Sequence, residues 1–229
     1  MSNIGFRIYS IPYRPKKELV EKYQEIVTPH ISDNMNRIYS AGYQLRPFHK
    51  QGKLVGVAFT VKTRPGDNLM VHKAIDMAQA GDVIVVDAGG DMTNAIVGEI
   101  MLRLAQKKGI AGFVIDGAIR DSAAFASDCF PVYARGITHR GPYKDGPGEI
   151  NVPIVVAGMF VKPGDILVGD EDGLVAVPCQ HAEEILEKAQ AQKRREQEIL
   201  KQIEEGTVDR SWVDKLLQEK GCEWIDGSK

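Results

Sequence analysis

Cysteine and long apolar segments are both scarce in this sequence, and each shortage excludes a class of protein. The 229 residues include three cysteines, which lie too far apart for a disulfide framework or a zinc site: Cys129, Cys179 and Cys222. The longest apolar runs, such as residues 153–161, fall far below the roughly 20 residues that cross a bilayer. The first residues carry no secretory signal. We therefore expect a cytoplasmic protein with no membrane partner.

The sequence also has no large excess of positive or of negative residues. The formal net charge is −2, so no global basic field points to nucleic acid as a partner. Apolar residues make up 43% of the chain and charged residues 26%, which are ordinary proportions for a protein with a buried core. The segment DAGGD, residues 87–91, lacks G-x-G-x-x-G spacing, which argues against a methyltransferase.

The middle of the chain alternates between short apolar strands and helices. Residues 83–86, 113–116 and 132–134 are runs of the kind that form strands buried on both faces. A strand–helix–strand order implies parallel strands joined by right-handed crossovers. Over residues 153–178 the runs are instead separated by hairpin-type turns, so this part is expected to be antiparallel. The sequence thus predicts a single mixed α/β domain.

Helices are predicted at both ends of the chain. Residues 15–27 carry apolar side chains on one helical face, and Pro29 should end that helix. A second helix is predicted over residues 32–40, capped by its first or second residue. Residues 181–205 form a long predicted helix rich in charged side chains. Such a helix can pack on a neighbouring molecule, or it can simply expose a solvated face.

The loop after the first central strand leads to a helix that starts near Gly98-Glu99-Ile100-Met101. In open α/β sheets, ligands bind where loops converge beyond the carboxyl ends of strands. A helix N-terminus offers unpaired N–H groups that attract carboxylates, and Gly98 lets the backbone approach a ligand closely. Alternatively, Gly98 serves tight helix packing and Glu99 is a first-turn acid favoured by the helix dipole.

The loop after the next strand carries Arg120 and Asp121 side by side. Arginine offers a planar, permanently charged group for a carboxylate or enolate oxygen. Aspartate is a hard oxygen ligand that suits Mg²⁺ or Mn²⁺. If the two strands are neighbours, both loops open on one cleft. On residue types alone, Asp121 can equally cap a short helix at 122–126, and Arg120 can be a surface residue.

Glu99, Arg120 and Asp121 form an acid–x20–Arg-Asp pattern, and the stretch that contains it resembles a known family. Residues 81–121 are similar to the family of the regulator of ribonuclease activity A and the 4-hydroxy-4-methyl-2-oxoglutarate/4-carboxy-4-hydroxy-2-oxoadipate aldolases. The resemblance covers about residues 30–205. Further matching segments are ISDNM near Ser32, the pair Asp67-Asn68 and KPGDILVGDEDGLVAVP.

The resemblance implies a fold and a domain organisation. It implies one α/β domain over residues 1–205, of the swivelling β/β/α, phosphohistidine-domain-like type. This domain would include N-terminal helices and the long C-terminal helix. Residues 206–229 fall outside the match and are expected to form a helical tail.

The resemblance also implies a chemistry, since the acid–x20–Arg-Asp set is typical of the catalytic branch of the family. The backbone of residues 98–101 would bind the pyruvate carboxylate, Arg120 would contact substrate oxygens, Asp121 would ligate the metal and Glu99 would hold metal-bound water. The expected enzyme is a divalent-metal-dependent lyase, with Mg²⁺ or Mn²⁺ as the cofactor. It would release pyruvate from small 2-oxo acids by retro-aldol cleavage, by oxaloacetate decarboxylation or by both, through an enolate. Related proteins form homotrimers or hexamers.

Another acid, Glu196, shares a helical stripe with apolar residues. The stripe has 4-3-4-3-4 spacing: Ile185, Ala189, Gln192, Glu196, Ile199 and Ile203. The matching helix of related aldolases carries an acid that reaches the site of a neighbouring subunit, through water at the metal. The alternative is a solvated glutamate at the edge of the stripe.

Three alternatives remain open from the sequence. The first is a non-catalytic regulator of ribonuclease activity that acts by binding another protein. The second is Schiff-base chemistry, for which Lys62 and Lys73 are the candidates, although both resemble ordinary surface lysines. The third concerns His139, in a polar loop, which can contact substrate. The other histidines, His72 among them, are expected to be structural or exposed.

Overall fold

Helices and strands alternate along most of the chain in the computed structural model, which describes residues 3–225. Residues 1–2 of the predicted domain and 226–229 of the predicted tail lie outside the described residues. The helices are α1 (Lys17–Lys22), α2 (Thr28–Asp33), α3 (Leu69–Met77), α4 (Glu99–Lys107), α5 (Ser122–Ala126), α6 (Ala182–Glu204) and α7 (Ser211–Glu219). The strands are β1 (Phe6–Ile8), β2 (Arg46–Pro47), β3 (Leu54–Thr63), β4 (Asp82–Asp87), β5 (Ala95–Val97), β6 (Gly112–Ile119), β7 (Val132–Ile137), β8 (Gly148–Ile150), β9 (Ile154–Val156), β10 (Met159–Val161), β11 (Ile166–Asp170) and β12 (Gly173–Val177).

Four parallel strands, β3, β4, β6 and β7, form the centre of the main sheet. One cross-strand row passes through Thr60, Val85, Val114 and Tyr133, and all four residues are fully buried. The strand–helix–strand order therefore produces parallel crossovers, as the sequence predicts. The complete strand order of this sheet is β1-β8-β3-β4-β6-β7-β2, with β5, β11 and β12 paired outside that path.

The β-branched run of β4 is explained by burial on both faces of the sheet. Ile84 and Val86 join a core cluster that includes apolar residues of α3 and α4. Val83 and Val85 point the other way, into a cluster that includes residues of β9 to β12. Because side chains alternate along a strand, a strand covered on both faces needs an apolar residue at every position.

The region from 153 to 178 is antiparallel, as its turn signals predict. β11 and β12 form a hairpin, and β11 also pairs antiparallel with the first half of β3. β9 and β10 form a separate two-stranded sheet. The fold is a mixed α/β domain with one mixed main sheet and a long C-terminal helix.

The predicted bounds of the N-terminal helices are wrong. The first helix, α1, is followed by a 3₁₀ turn and is shorter than 15–27. The second helix begins at Thr28 rather than at residue 32, because Pro29 occupies its first turn instead of ending its predecessor. Proline suits the first turn, where its missing N–H has no helical acceptor. α2 ends at Asp33, and Asn36 beyond it has a positive φ of 55°.

The chain forms two compact units, one through Gln190 and one from Ala191 onward. The long helix α6 spans 182–204, close to its predicted bounds, and α7 lies within the second unit. The predicted domain boundary at residue 205 stays a prediction. Within the described part of the chain, none of the helices combines the length and apolar character needed to cross a bilayer.

Candidate functional site

The carboxyl ends of β5 and β6 bring two distant loops together. β5 runs parallel to the second half of β6, with Val97 opposite Ile119. The N–H of Arg120 donates a hydrogen bond to the carbonyl of Val97 over 3.0 Å. The chain that enters α4 and the chain that enters α5 therefore start from adjacent points. The two loops meet as the sequence predicts, but the strand directly before Gly98 is β5, where the sequence predicts part of a loop.

The Asp121 carboxylate lies against the first turn of α4. Its Oδ2 atom accepts a hydrogen bond from the backbone N–H of Glu99 over 3.0 Å, and it is 3.7 Å from Nε of Arg120. A Cβ atom on Gly98 would be only 2.5 Å from the same oxygen. The two loops are thus in direct contact, and only glycine leaves room at residue 98.

Asp121 occupies the N-cap position of α5, but its side chain makes no capping hydrogen bond within residues 3–225. Its backbone is left-handed, with a φ of 56° and a ψ of 40°. Aspartate is one of the few non-glycine residues that adopt this conformation with modest strain. The backbone turn directs the carboxylate away from its own helix and toward Glu99, so a capping role does not explain the residue.

An open cleft of about 510 Å³ lies over this contact. It is lined by residues from both loops and from the end of β7: Glu99, Arg120, Asp121, Ser122, Ala123, Ala124, Ile137, Thr138 and His139. The side chains of Arg120 and Asp121 are 41% and 45% exposed, so both are accessible to a ligand in the cleft. His139, which the sequence left open, is placed at the same cleft.

Glu99 has a cationic neighbour on its own helix. One Glu99 carboxylate oxygen accepts a hydrogen bond from Nη2 of Arg103 over 3.1 Å, and Arg103 also pairs with Asp128. The Glu99 carboxylate is half exposed at the edge of the cleft. It is therefore held in place by a surface ion pair rather than by burial, and it remains accessible to water.

A narrow recess of about 80 Å³ lies on the other side of Arg120. Its walls come from α3, the start of α4 and the segment before β8: Asn68, His72, Ile96, Val97, Gly98, Ile100, Met101, Arg120, Pro142 and Lys144. The Asn68 amide donates to the Ile96 carbonyl over 2.8 Å, while its Oδ1 atom is buried without a partner among residues 3–225. The recess therefore has two cationic side chains, Arg120 and Lys144, in its lining beside the first turn of α4.

The titration of His72 fits its place in this recess. Burial, followed by the nearby charge of Lys144, lowers the pKa of His72 below its usual 6.5. The imidazole is therefore mostly neutral at neutral pH, and the cationic side chains that line the recess are Lys144 and Arg120. The sequence-based expectation that His72 is merely structural or exposed missed this position.

Asp67 fixes the segment that carries Lys144. Its fully buried carboxylate accepts backbone N–H groups from Leu69, Asp145 and Gly146 over 2.9, 2.7 and 2.9 Å. Burial alone would raise the pKa of Asp67, but the three N–H donors and Arg64 outweigh it and lower the pKa below 3.8. One ionised side chain thus joins the start of α3 to the wall of the narrow recess.

Several residues singled out in the sequence lie elsewhere. Glu196 belongs to the second compact unit, where it accepts a hydrogen bond from the Gln192 amide over 2.9 Å. Lys62 and Lys73 line neither the cleft nor the narrow recess as far as the chain is described. Across 3–225, no group of three His, Cys, Asp or Glu side chains gathers as a metal cage.

Asn68, His72 and Lys144 are residues of this site to which the sequence gave no role. The pair Asp67-Asn68 stands out as a turn before a helix, but nothing in its spacing indicates a distant partner. Nothing in the sequence around Lys144 distinguishes it from the other lysines of the chain. The spacing of Asn68 and His72, four residues apart on one face of a helix, is a signal that could have found these two residues but not Lys144.

The assembled groups suit a small dianion or keto acid. Backbone N–H groups at the first turn of α4, together with Arg120 and Lys144, can bind carboxylate oxygens. The Asp121 carboxylate, a hard oxygen donor, faces the cleft next to them. A ligand that spans the cleft and the recess would contact Arg120 and Lys144 at one end. The Asp121 carboxylate would lie near the middle of such a ligand.

Comparison with known sequences identifies relatives over most of the chain. A family model described as RraA-like, Aldolase/RraA, matches residues 28–176. A protein of Halalkalibacterium halodurans is 38% identical over 201 residues, which is 87% of this chain and 96% of the relative. It provisionally carries the name 4-hydroxy-4-methyl-2-oxoglutarate aldolase. A Thermus thermophilus protein with that name is 40% identical over 112 residues, covering 49% of this chain and 68% of the relative.

Comparison with solved structures finds the same fold in a protein with a different description. The RNA-processing inhibitor RraA of Thermus thermophilus superposes with a TM-score of 0.62 and 33% identity. The match covers 66% of this chain and 92% of that chain. Aldolase names and a regulator name thus both occur among proteins that resemble this one.

Proposed function

Because this chain belongs to the RraA-like, Aldolase/RraA family, we propose that it is a divalent-metal-dependent lyase that releases pyruvate from small 2-oxo acids. The aldolase names of its relatives support a lyase. The finer proposal covers retro-aldol cleavage of 4-hydroxy-4-methyl-2-oxoglutarate or 4-carboxy-4-hydroxy-2-oxoadipate, and decarboxylation of oxaloacetate. One observation carries it: Arg120 and Asp121 lie in contact with the first turn of α4 at an open cleft.

The binding step follows from the backbone. The N–H of Glu99 is engaged by the Asp121 carboxylate, but the next N–H groups of the first turn of α4, those of Ile100 and Met101, lack helical acceptors and can bind the pyruvyl carboxylate. Lys144 and Asn68 stand beside that turn in the narrow recess. We assign the carboxylate of the pyruvyl half to this end of the site, with the scissile bond over the open cleft.

The chemical step requires stabilisation of an enolate. Cleavage of the carbon–carbon bond next to a ketone leaves negative charge on the keto oxygen, and a positive group near that oxygen lowers the barrier. Arg120 lines both the cleft and the recess, so its guanidinium can contact substrate at the junction between the two halves. In a retro-aldol cleavage a base must take the hydroxyl proton, and in this proposal Glu99, half exposed at the edge of the cleft, would hold the water that accepts it. Decarboxylation leaves the same enolate and needs no such base.

The residues of the cleft fit a cation that keeps part of its water shell better than one that is fully enclosed by protein ligands. Mg²⁺ keeps several waters and is often bound through one or two carboxylates together with the substrate, which matches a lone Asp121 with Glu99 nearby. Asp121, which lines the cleft, would hold the cation. When bound, Mg²⁺ or Mn²⁺ supplies Lewis acidity at the keto oxygen.

A second function has one observation in its favour. The likeness to the RNA-processing inhibitor RraA supports a regulator that binds another protein and has no catalysis of its own. The two functions differ in what they require, because a lyase needs catalytic groups at the cleft whereas a regulator needs only a binding surface. Pyruvate release from a 2-oxo acid is therefore expected of the lyase and not of the regulator.

A coupled assay tests the lyase. Pyruvate release from oxaloacetate and from 4-hydroxy-4-methyl-2-oxoglutarate would be followed with lactate dehydrogenase, with Mg²⁺ or Mn²⁺ and then with EDTA. We expect metal-dependent turnover that drops by about 10²–10³-fold in Arg120→Ala and Asp121→Ala. Arg46→Ala and Asp214→Ala, both at exposed positions, serve as matched controls. Wild-type turnover in folded Arg120→Ala and Asp121→Ala would overturn the assignment of the site.

A further inference from the structure

The N-terminal strand β1 lies at the edge of the main sheet and has no part in the proposed lyase chemistry. It pairs parallel with β8, with Phe6 opposite Gly148 and Ile8 opposite Ile150. The other neighbour of β8 is β3, so β8 is held between the edge strand and the centre of the sheet. β1 also precedes residues 28–176, the part of the chain that the family model matches.

The segment that enters β8 is the one that carries Lys144 to the narrow recess. It is fixed by what we call the Asp67 junction, meaning the Asp67 carboxylate and the three backbone N–H groups that it accepts. Those N–H groups belong to Leu69 in the first turn of α3 and to Asp145 and Gly146 directly after Lys144. Whatever holds this junction together therefore also fixes the position of Lys144.

Phe6 of β1 lies against the Asp67 junction. A Cβ atom built on Gly146 would be 3.4 Å from Cε2 of Phe6 and 3.6 Å from Cδ2 of Leu69, so both side chains cover the same point of the backbone. Phe6 and Leu69 also line a shallow groove between β1 and α3. An apolar cover excludes water, which would otherwise compete with the carboxylate for the N–H groups of the junction.

The backbone on both sides of Phe6 is fixed by Glu149 of β8. Its carboxylate accepts a hydrogen bond from Nε of Arg7 over 2.7 Å and another from the N–H of Gly5 over 3.3 Å. Because the ion pair between Arg7 and Glu149 is partly exposed, it contributes little energy by itself. Its effect is to set the register of β1, which places the Phe6 ring over Gly146.

From these contacts we infer that Phe6 is a positioning residue for the carboxylate-binding recess. It covers the Asp67 junction and thereby holds Lys144 beside the first turn of α4. The inference rests on the proposed function, in which the pyruvyl carboxylate lies at this end of the site. In the described chain, Phe6 lines neither the cleft nor the narrow recess, so it acts on substrate only through the junction.

The kinetic consequence is a change in KM without a change in kcat. In Phe6→Ala we expect the KM for oxaloacetate to rise about tenfold, the effect of a weakened charged contact to the carboxylate. The value of kcat should stay within about twofold of wild type, because the groups of the open cleft remain in place. Phe160→Ala, at a phenylalanine of similar exposure on β10, should change neither constant. A lower kcat with an unchanged KM would contradict the inference.

Hydrogen exchange tests the cover itself and does not depend on turnover. The backbone amides of Leu69, Asp145 and Gly146 should exchange about tenfold faster in Phe6→Ala, while those of β6 exchange as in wild type. If the wild-type protein released no pyruvate, the lyase would be refuted, and the exchange rates would still decide whether Phe6 covers the junction. Unchanged exchange at the three amides would refute the positioning role even in an active lyase.

A double-mutant cycle tests whether Phe6 acts through Asp67. Asp67→Asn weakens the junction directly, so the addition of Phe6→Ala should raise KM little further. Phe6→Leu, which keeps an apolar cover, should retain most of the wild-type affinity for oxaloacetate. If the effects of Phe6→Ala and Asp67→Asn on KM multiply as independent changes, Phe6 acts by another route and the inference is wrong.

Discussion

At the scale of single residues, the site depends on a glycine that is required for space rather than for backbone freedom. Gly98 has an extended backbone that any residue can adopt, with a φ of −148°. A methyl group there would approach Oδ2 of Asp121 to 2.5 Å and Cγ of Arg120 to 3.0 Å. Both neighbours are side chains that can move aside, so the fold should tolerate the change while the site does not.

We therefore expect Gly98→Ala to fold with nearly unchanged stability and to lose most of its lyase turnover. The displaced carboxylate could no longer accept the N–H of Glu99, and it would leave the position from which we propose that it holds the metal. Thermal unfolding and the coupled pyruvate assay, run on the same preparation, measure the two effects separately. A variant with normal melting and normal turnover would show that the contact between Gly98 and Asp121 is dispensable.

The sequence predicts some residues of the site and not others for a physical reason. Glu99, Arg120 and Asp121 follow parallel strands, and the carboxyl ends of neighbouring strands meet by geometry. Lys144 instead reaches the site on a segment held by hydrogen bonds to Asp67, more than seventy residues earlier in the chain. No periodicity links those positions, so only the folded chain shows that they are neighbours.

At the scale of elements, Asp67 connects helix α3 to the segment before β8. Replacing it by asparagine keeps the shape but removes the charge that binds three backbone N–H groups. We expect Asp67→Asn to lower the free energy of unfolding by about 1–3 kcal/mol and to raise KM through displacement of Lys144. Asp145→Asn, at an exposed carboxylate in the same loop, is the matched control.

The loss of unfolding free energy in Asp67→Asn should depend on pH in one direction only. Because the folded state lowers the pKa of Asp67 below 3.8, its stabilisation is complete above that pH and disappears as the carboxylate is protonated in acid. The difference in unfolding free energy between wild type and Asp67→Asn should therefore be constant near neutral pH and shrink below about pH 4. Denaturant unfolding measured across this range checks the prediction, and a difference that grows in acid would contradict it.

Pro29 shows why element boundaries were less predictable than element types. The central strands were predicted from short apolar runs and the long helix α6 from a long charged segment, and these elements lie close to their expected positions. Proline ends one helix or begins another with the same local chemistry. The choice at residue 29 depends on tertiary contacts: the Asp170 carboxylate accepts the N–H of Thr28 over 2.7 Å and so fixes the start of α2. A single-sequence pattern does not contain that contact.

At the scale of the whole molecule, the surroundings of the open cleft argue for assembly. Ile100, Leu104 and Ile137 are 73%, 48% and 51% exposed on or beside the two loops of the site. Exposed apolar residues clustered at a functional site commonly mark an interface. The family resemblance predicts a homotrimer or hexamer, and a subunit packed here would narrow a cleft that is open in a single chain. We propose that the complete site forms between subunits, with Glu196 supplied by a neighbour.

Subunit mixing tests that arrangement directly. We expect Glu196→Gln and Arg120→Ala each to be nearly inactive, and light scattering to give a mass three or six times 25.3 kDa for both. If Glu196 serves a neighbouring site, oligomers reassembled from equal amounts of the two variants regain complete sites at about a quarter of positions by random mixing. If Glu196 serves its own chain, each chain carries one defect in its own site and mixing restores nothing. A mixture no more active than the separate variants would therefore exclude the shared site, while an unchanged mass would show that the subunits still assemble.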